Sequence, residues 1–204
     1  MKLYFVPFAC SLATRIAIEE AELDADFIQV RPGESLPDGR PFTAISPMGY
    51  VPAMETASGL VLSEGPAVLT YIADLAAEGV LAPPPYTRER YELTKWLNFI
   101  STEVHKGVFA PLMSRSSTEG ARDWSKELVA KRFGLLEAHL TGRSYLLDSF
   151  SVADAYLLAV LNWTEYAGLS LDGWPVLKAW RAAMRARPSV AAAMATEMPL
   201  RQAA

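Results

Sequence analysis

Apolar positions follow two different rhythms along the chain, and the change between them divides it. Up to about residue 78, short β-rich runs interleave with helical ones. Lys2 to Val6 predicts a strand ended by Pro7, and Ser11 to Ala21 has the pattern of a helix. Phe27 to Val30 predicts a second strand, followed by a loop containing Pro32, Gly33, Pro37, Asp38 and Gly39. Pro52 to Thr56 and Leu60 to Leu62 flank Ala57-Ser58-Gly59 as the arms of a short hairpin. Val68, Tyr71, Ile72 and Leu75 then recur at spacings of three and four, which predicts a helix from about Glu64 to Ala77. This order describes a small mixed sheet covered by helices.

Beyond the stiff tract Ala82-Pro83-Pro84-Pro85, which cannot continue a helix, the pattern is helical throughout. From Thr87 a long helix carries Leu93, Leu97, Ile100, Val104 and Val108 on one stripe. Val129, Phe133, Leu136 and Leu140 mark a second amphipathic helix. Ser151-Val152-Ala153-Asp154 is a capping box ahead of the apolar run Tyr156 to Trp163, because its hydroxyl and carboxylate can satisfy the orphan amides of a helix start. Further helices are expected around Val176 to Arg185 and Val190 to Met198. Two domains follow from this reading, residues 1–78 and 87–204, with 79–86 as linker.

Composition narrows the function classes. The 204 residues are 51% hydrophobic and 21% charged, which suits a folded globular chain rather than a disordered one. Nineteen Lys and Arg against 23 Asp and Glu leave a net charge of −4, without the basic surface that nucleic-acid binding needs. The charge is uneven, −7 over residues 1–78 and +3 over the remainder. No stretch approaches the roughly 18–20 apolar residues of a membrane span, and Leu3 to Ala13 fails as a targeting segment because Pro7 interrupts it and Arg15 follows. A soluble protein is expected. The lone cysteine, Cys10, excludes an internal disulfide and points to a reducing cytoplasm, and with only His105 and His139 beside it no zinc site is expected.

Three local features could carry chemistry. Cys10 lies after a strand and a proline turn, at the start of a predicted helix, where the helix dipole and unpaired amides would favour its thiolate. It could equally be a small buried hydrophobe. Val51-Pro52 enters a strand, and a cis bond there would turn the main chain of Val51 toward an extended peptide ligand, although an ordinary trans proline fits the sequence as well. Ser63-Glu64-Gly65-Pro66 is a strand-to-helix turn whose amides could hold a carboxylate or phosphate, with Glu64 placed to accept from an ammonium. As a plain helix start it is equally good.

Taken in order, these features resemble a glutathione transferase over nearly the whole chain. Ala9-Cys10-Ser11-Leu12, Trp96-Leu97-Asn98, Glu103-Val104-His105-Lys106-Gly107 and Phe150-Ser151-Val152-Ala153-Asp154-Ala155-Tyr156 are similar to the bacterial cysteine-containing beta class. The resemblance implies an α/β thioredoxin-like N-terminal domain with a mixed four-stranded sheet, an all-α C-terminal domain, and a homodimer. It implies glutathione as co-substrate, no metal, and a hydrophobic small-molecule electrophile as second substrate.

The resemblance also assigns roles. Cys10, Ser11 and His105 become catalytic candidates, with Ser11 a rival to Cys10 as donor to the thiolate. Ala9, Tyr50, Val51, Pro52, Glu64, Gly65, Asn98, Glu103 and Lys106 become glutathione-binding candidates. Val51 would pair with the cysteinyl backbone, while Glu64 and Gly65 would hold the γ-glutamyl ammonium and carboxylate. At helical spacing Asn98, Thr102 and His105 share one face, which would look toward the first domain. Phe109, Leu112, Trp163 and Tyr166 would form an apolar wall for the electrophile, plain core being the alternative for each. The sequence departs from the class in two places. The loop Pro32-Gly33-Glu34-Ser35 carries no lysine for the glycyl carboxylate, and Met48 stands where a lysine is frequent. Arg31 or Arg40 could substitute. With no second cysteine at Ala13, a two-thiol cycle within the chain is unsupported. The implied function is conjugation of the glutathione thiolate to hydrophobic electrophiles, with glutathione-dependent thiol–disulfide exchange through Cys10 as a second activity. A non-catalytic binding module of the same fold, and a glutathione-dependent isomerase or dehalogenase, are the alternatives.

Overall fold

Alternating side chains in the first strands decide how the sheet is buried. The computed structural model describes residues 1–31 and 33–202; Pro32 of the predicted loop and Ala203–Ala204 lie outside them. Strands β1 (Lys2–Phe5), β2 (Asp26–Gln29), β3 (Ala53–Glu55) and β4 (Val61–Ser63) form one sheet in the order β2-β1-β3-β4. β1 runs parallel to β2 and antiparallel to β3, and β4 is antiparallel to β3, so the sheet is mixed as expected. Leu3 pairs with Met54, and both are fully buried on the face that meets helices α1 (Leu12–Glu20) and α2 (Gly65–Leu75). Tyr4 and Ala53 point the other way, into a smaller core with Leu36, Phe42 and Ile45 from the loop after β2. The hairpin turn needs Gly59, whose φ of +83° few other residues adopt at low cost.

The rest of the chain is helical: α3 (Arg88–Phe99), a π-helical segment (Ile100–Phe109), α4 (Ala110–Met113), α5 (Glu119–Leu140), α6 (Val152–Leu161), α7 (Pro175–Arg185) and α8 (Pro188–Gln202). The stripe Leu93, Leu97, Ile100, Val104 and Val108 is buried, as its spacing predicts. A single α-helix from Thr87, however, is not what forms. From Ile100 each turn takes in about one more residue, in the i to i+5 register. Two neighbours favour the wider turn. The Ser125 hydroxyl on α5 donates to the carbonyls of Gly107 and Val108. At Gly107 a β-carbon would stand only 3.2 Å from the Thr102 carbonyl oxygen, so a side chain would push the turn apart.

Helix α6 runs through the centre of the helical layer, every residue from Val152 to Leu161 being buried. Its capping box forms as predicted. Asp154 accepts from the Ser151 amide (2.9 Å), the Ser151 hydroxyl (3.0 Å) and the Leu146 amide (2.8 Å). The Val152 amide donates to Leu81 in the linker (3.0 Å), tying the start of α6 to the seam between the two parts. Helix α1 packs against α6 and α8 as well as α2, so the first helix is shared by both layers. Replacing Asp154 by Ala leaves three buried donors without an acceptor, and we expect it to cost about 2–4 kcal/mol. Urea unfolding should show a lowered midpoint with an unchanged slope; an unaltered midpoint would show that the box contributes nothing.

Candidate active site

The turn from β1 into α1 is held in place by the far end of the chain. Phe8 has a left-handed backbone (φ +58°), a conformation that costs a non-glycine residue roughly 1–3 kcal/mol unless its surroundings enforce it. Its amide donates to the Glu197 carboxylate on α8 (2.7 Å), and its carbonyl accepts from the Trp163 indole (2.8 Å). Glu197 is fully buried and also accepts from Arg15 (3.0 Å), whose guanidinium lies on the Phe27 ring at 3.7 Å. Burial pushes the Glu197 carboxyl upward, and the Phe8 amide and Arg15 oppose that shift. A buried charge pair of this kind is costly to break, because either partner alone is an uncompensated ion.

Cys10 emerges from this turn into a cleft lined by the loop Ser46–Val51, the β4–α2 turn, the π-helical segment and α6. The Val51–Pro52 bond is cis, and the Cys10 thiol donates to the Val51 carbonyl (3.1 Å). Ser46 shapes the rim by bonding Tyr50 twice, its hydroxyl donating to the carbonyl (2.9 Å) and accepting from the amide (3.2 Å). Across the cleft Ser63, Glu64 and Gly65 bring in the N-terminus of α2. Glu64 has φ +70°, a second strained residue at the same site. From the helical side come Ser101, His105, Lys106 and Tyr156.

Electrostatics here differ from the sequence expectation. Burial pushes the Cys10 thiol up to about 11; Lys106 and the local amides pull it down without winning. Cys10 is therefore a protonated donor at neutral pH, and the helix start alone does not make it a thiolate. His105 is neutral too. Burial, aided by the adjacent Lys106 ammonium, lowers it to about 4. Its Nδ1 lies 2.8 Å from the Tyr156 hydroxyl, and its ring meets Trp163 edge-on at 4.9 Å. The Lys106 ammonium stands 5.1 Å from the centre of the Tyr50 ring, and among the described residues it is the only lysine or arginine lining the cleft.

Of the candidates read from sequence, Cys10, Tyr50, Val51, Pro52, Glu64, Gly65, His105 and Lys106 meet in this cleft. Others do not. Ser11 is fully buried, with its hydroxyl accepting from the Val6 amide and donating to the Val6 carbonyl (3.2 Å each), so it has no hydrogen to offer a thiolate. Ala9 serves the turn, its carbonyl accepting from Leu12. Asn98 caps back on the Thr94 carbonyl (2.8 Å) and lines a separate groove with Leu60, Leu62 and Tyr71. Glu103 is paired with Arg132, away from the cleft. The shared face drawn through Asn98, Thr102 and His105 assumed α-helical spacing, and the π register changes the phase so that Ser101 joins His105 and Lys106 instead.

The apolar wall also changes. Phe109 is core, Trp163 stands behind His105, Leu112 packs on the core edge, and Tyr166 is half exposed beneath the Arg201 guanidinium. None of the four lines the cleft. Arg40 is bonded to Asp38 and Glu55, and Arg31 pairs with Glu34, so neither reaches the cleft to replace the missing lysine.

Comparison with known proteins agrees with this geometry. The family profile of the glutathione S-transferase N-terminal domain matches residues 9–75, and that of the C-terminal domain matches 99–188. The chain is 34% identical to the glutathione S-transferase GstA of Escherichia coli O157:H7, covering 97% of this chain and 98% of the relative. The chain belongs to the glutathione S-transferase family. Among solved structures it is similar to the bacterial beta-class glutathione S-transferase of Sphingomonas chungbukensis (TM-score 0.90, 37% identity, 97% and 98% of the two chains). A sphingomonad glutathione S-transferase complexed with glutathione superposes equally well (TM-score 0.91, 37% identity, 97% and 98%). This transferase thus has the architecture of its bacterial beta-class neighbours.

Tyr156 and Ser101 are among the cleft residues that sequence reasoning missed. A signal existed for both. Tyr156 carries one of only two polar side chains in the run Val152–Leu161, and a buried tyrosine hydroxyl requires a partner. Ser101 lies four residues before His105, within reach on a helical segment. The protonated thiol is testable. In the absence of glutathione, alkylation of Cys10 by iodoacetamide should quicken about tenfold per pH unit from pH 7 to 10, because only the thiolate reacts. A rate that levels off below pH 8 would show a thiolate instead.

Proposed function

We propose that this transferase conjugates the glutathione thiolate to hydrophobic electrophiles, with Cys10 acting as a hydrogen-bond donor to that thiolate. The observation that carries this reading is the Cys10 thiol, kept protonated by burial and poised beside the main chain of Val51. A thiol titrating far above neutrality keeps its proton, so at neutral pH it can donate a hydrogen bond but is a poor nucleophile. The backbone of Val51 would pair with the cysteinyl residue of glutathione as an added strand. The α2 N-terminus and Glu64 would hold the γ-glutamyl carboxylate and ammonium. Lys106, the lysine that lines the cleft, would take the remaining carboxylate in place of the absent loop lysine. With glutathione so held, its proton leaves to solvent, the thiolate is stabilised by Cys10 and by the Lys106 charge, and the sulfur attacks an electrophilic carbon while the leaving group departs with its electron pair.

Thiol–disulfide exchange is the second activity. Here the Cys10 thiolate would attack the glutathione sulfur of a glutathionyl disulfide, forming a mixed disulfide and expelling the other thiolate. A further glutathione thiolate would then attack the glutathione sulfur of that mixed disulfide, forming glutathione disulfide and expelling the Cys10 thiolate. The raised thiol makes this the slower reaction at neutral pH. The two activities separate by substitution. Cys10→Ser keeps a donor and should retain conjugation of 1-chloro-2,4-dinitrobenzene within a few-fold while abolishing exchange. Cys10→Ala should lower kcat/KM for conjugation about tenfold, the value of one hydrogen bond of roughly 1.4 kcal/mol, with glutathione affinity unchanged. No calorimetric binding at millimolar glutathione would sink the whole reading.

We propose in addition that two copies pair through β4, α2 and α3. Leu60, Val61, Leu75 and Tyr91 on these elements are substantially exposed, and a groove lined by Leu60, Leu62, Pro66, Tyr71, Leu97 and Asn98 lies among them. Exposed apolar side chains gathered around a groove suit an interaction surface. Sedimentation velocity at micromolar concentration should give twice the chain mass, and Leu60→Glu should move the protein toward monomer. A wild-type monomer across that range would overturn this.

A further inference from the structure

A neutral imidazole has one proton for two nitrogens, and what binds one nitrogen decides the chemistry of the other. His105 lines the cleft with Cys10, and its Nδ1 lies 2.8 Å from the Tyr156 hydroxyl. Among the described residues nothing bonds its Nε2. We infer that Tyr156 is a positioning residue, whose hydroxyl donates to Nδ1 of His105 and so holds the imidazole proton on Nε2, facing the sulfur site. The alternative has Nδ1–H donating to the phenol oxygen. Phenols are strong donors and weak acceptors, because the oxygen lone pair is delocalised into the ring, whereas an unprotonated imidazole nitrogen is the best neutral acceptor a protein offers. Burial holds the Tyr156 hydroxyl well above its ordinary range, so its proton is always present to be given.

The surroundings prevent the pair from swapping partners. The Tyr156 ring lies against Gly65, where a β-carbon would come within 3.5 Å of it, and Ser101 sits beside the hydroxyl. On its other side His105 meets the Trp163 ring edge-on, and Trp163 is itself tied to the Phe8 carbonyl. The imidazole is thereby fixed relative to the turn that carries Cys10. An Nε2–H at that place adds a second neutral donor for a sulfur anion, whereas a bare Nε2 would turn its lone pair on the same anion and disfavour it. His105 in this state is no general base, since its basic nitrogen is occupied by Tyr156.

This inference rests on the cleft being the glutathione site only for its catalytic consequence; the tautomer itself is observable without substrate. The chain contains two histidines, so long-range nitrogen–proton NMR of histidine-labelled protein near pH 7 reads each directly. Wild-type His105 should show its proton on Nε2. Tyr156→Phe, which removes only the hydroxyl, should move the His105 proton to Nδ1 in a substantial fraction of molecules. His139, whose Nε2 lies 2.8 Å from the Leu146 carbonyl, should stay unchanged in both spectra and serves as the internal reference. In the same variant the thiol of bound glutathione, followed by its thiolate absorbance, should titrate about one unit higher, a tenfold loss of thiolate below its pKa, with glutathione affinity retained. Wild-type His105 protonated on Nδ1 would overturn the inference even if the variant failed to fold. A variant whose His105 tautomer is unaltered would overturn it as well. Failure of glutathione to bind would refute the functional reading and leave the tautomer measurement intact.

Discussion

The main chain of Phe8 is gripped from both sides by side chains 155 and 189 residues away, and the site is built on that grip. Glu197 takes the amide, Trp163 gives to the carbonyl, and a residue that would otherwise resist a left-handed backbone is held in one. Two residues later the chain presents Cys10. Trp163 also meets His105 edge-on, so one indole sets the cysteine turn and the histidine in a common frame. Glu20 repeats the strategy at the other end of α1, accepting from Arg187 and Ser189 (2.5 Å from the latter), with Arg187 lying over Phe150. Helix α1 is thus pinned at both ends to the helical layer. The cleft between sheet and helices therefore has walls that cannot drift apart without breaking one buried and one half-buried charge pair.

Burial, rather than net charge, governs the chemistry of that cleft. It keeps Cys10 and Tyr156 protonated and His105 neutral, so three ionisable groups meet there as neutral donors and acceptors. The fixed charges are few. Lys106 is the cation, Glu64 the anion, and they approach from opposite walls. The acidic excess of residues 1–78 is spent elsewhere, Arg40 being held by Asp38 and Glu55. Such a site offers an anion one helix N-terminus and one lysine rather than a positive field.

Of the four non-glycine residues with a left-handed backbone among the described residues, two border the cleft, while Glu22 and Tyr86 lie elsewhere. Phe8 and Glu64 both have positive φ, and both border the place where sulfur chemistry would occur. The helical layer supplies the compensation: Glu197 and Trp163 at Phe8, and the Tyr156 ring packed against Gly65 next to Glu64. Strain persists where surrounding packing over-determines the conformation. The fused helical layer performs that service here.

Much of this was legible in the order of residues. The four strands, the Gly59 hairpin, the capping box at Ser151 and the buried stripe from Leu93 to Val108 follow from periodicity and caps, which act over a few residues and so are written locally. The positions of Cys10, Val51-Pro52 and Glu64-Gly65 were equally local, because each is a turn at the end of a strand. What tertiary structure decided was where side chains point and whether they keep their protons. The π register that replaces Asn98 by Ser101 at the cleft is supported from α5 by Ser125, a residue that no local pattern connects to Gly107. The Ser11 hydroxyl was lost to Val6 within the turn that follows β1, and Tyr156 was gained for His105 by packing between elements 51 residues apart. The state of the Cys10 thiol reversed for the same reason. A helix start is a property of the sequence, whereas the desolvation that outweighs it exists only once the two layers have closed.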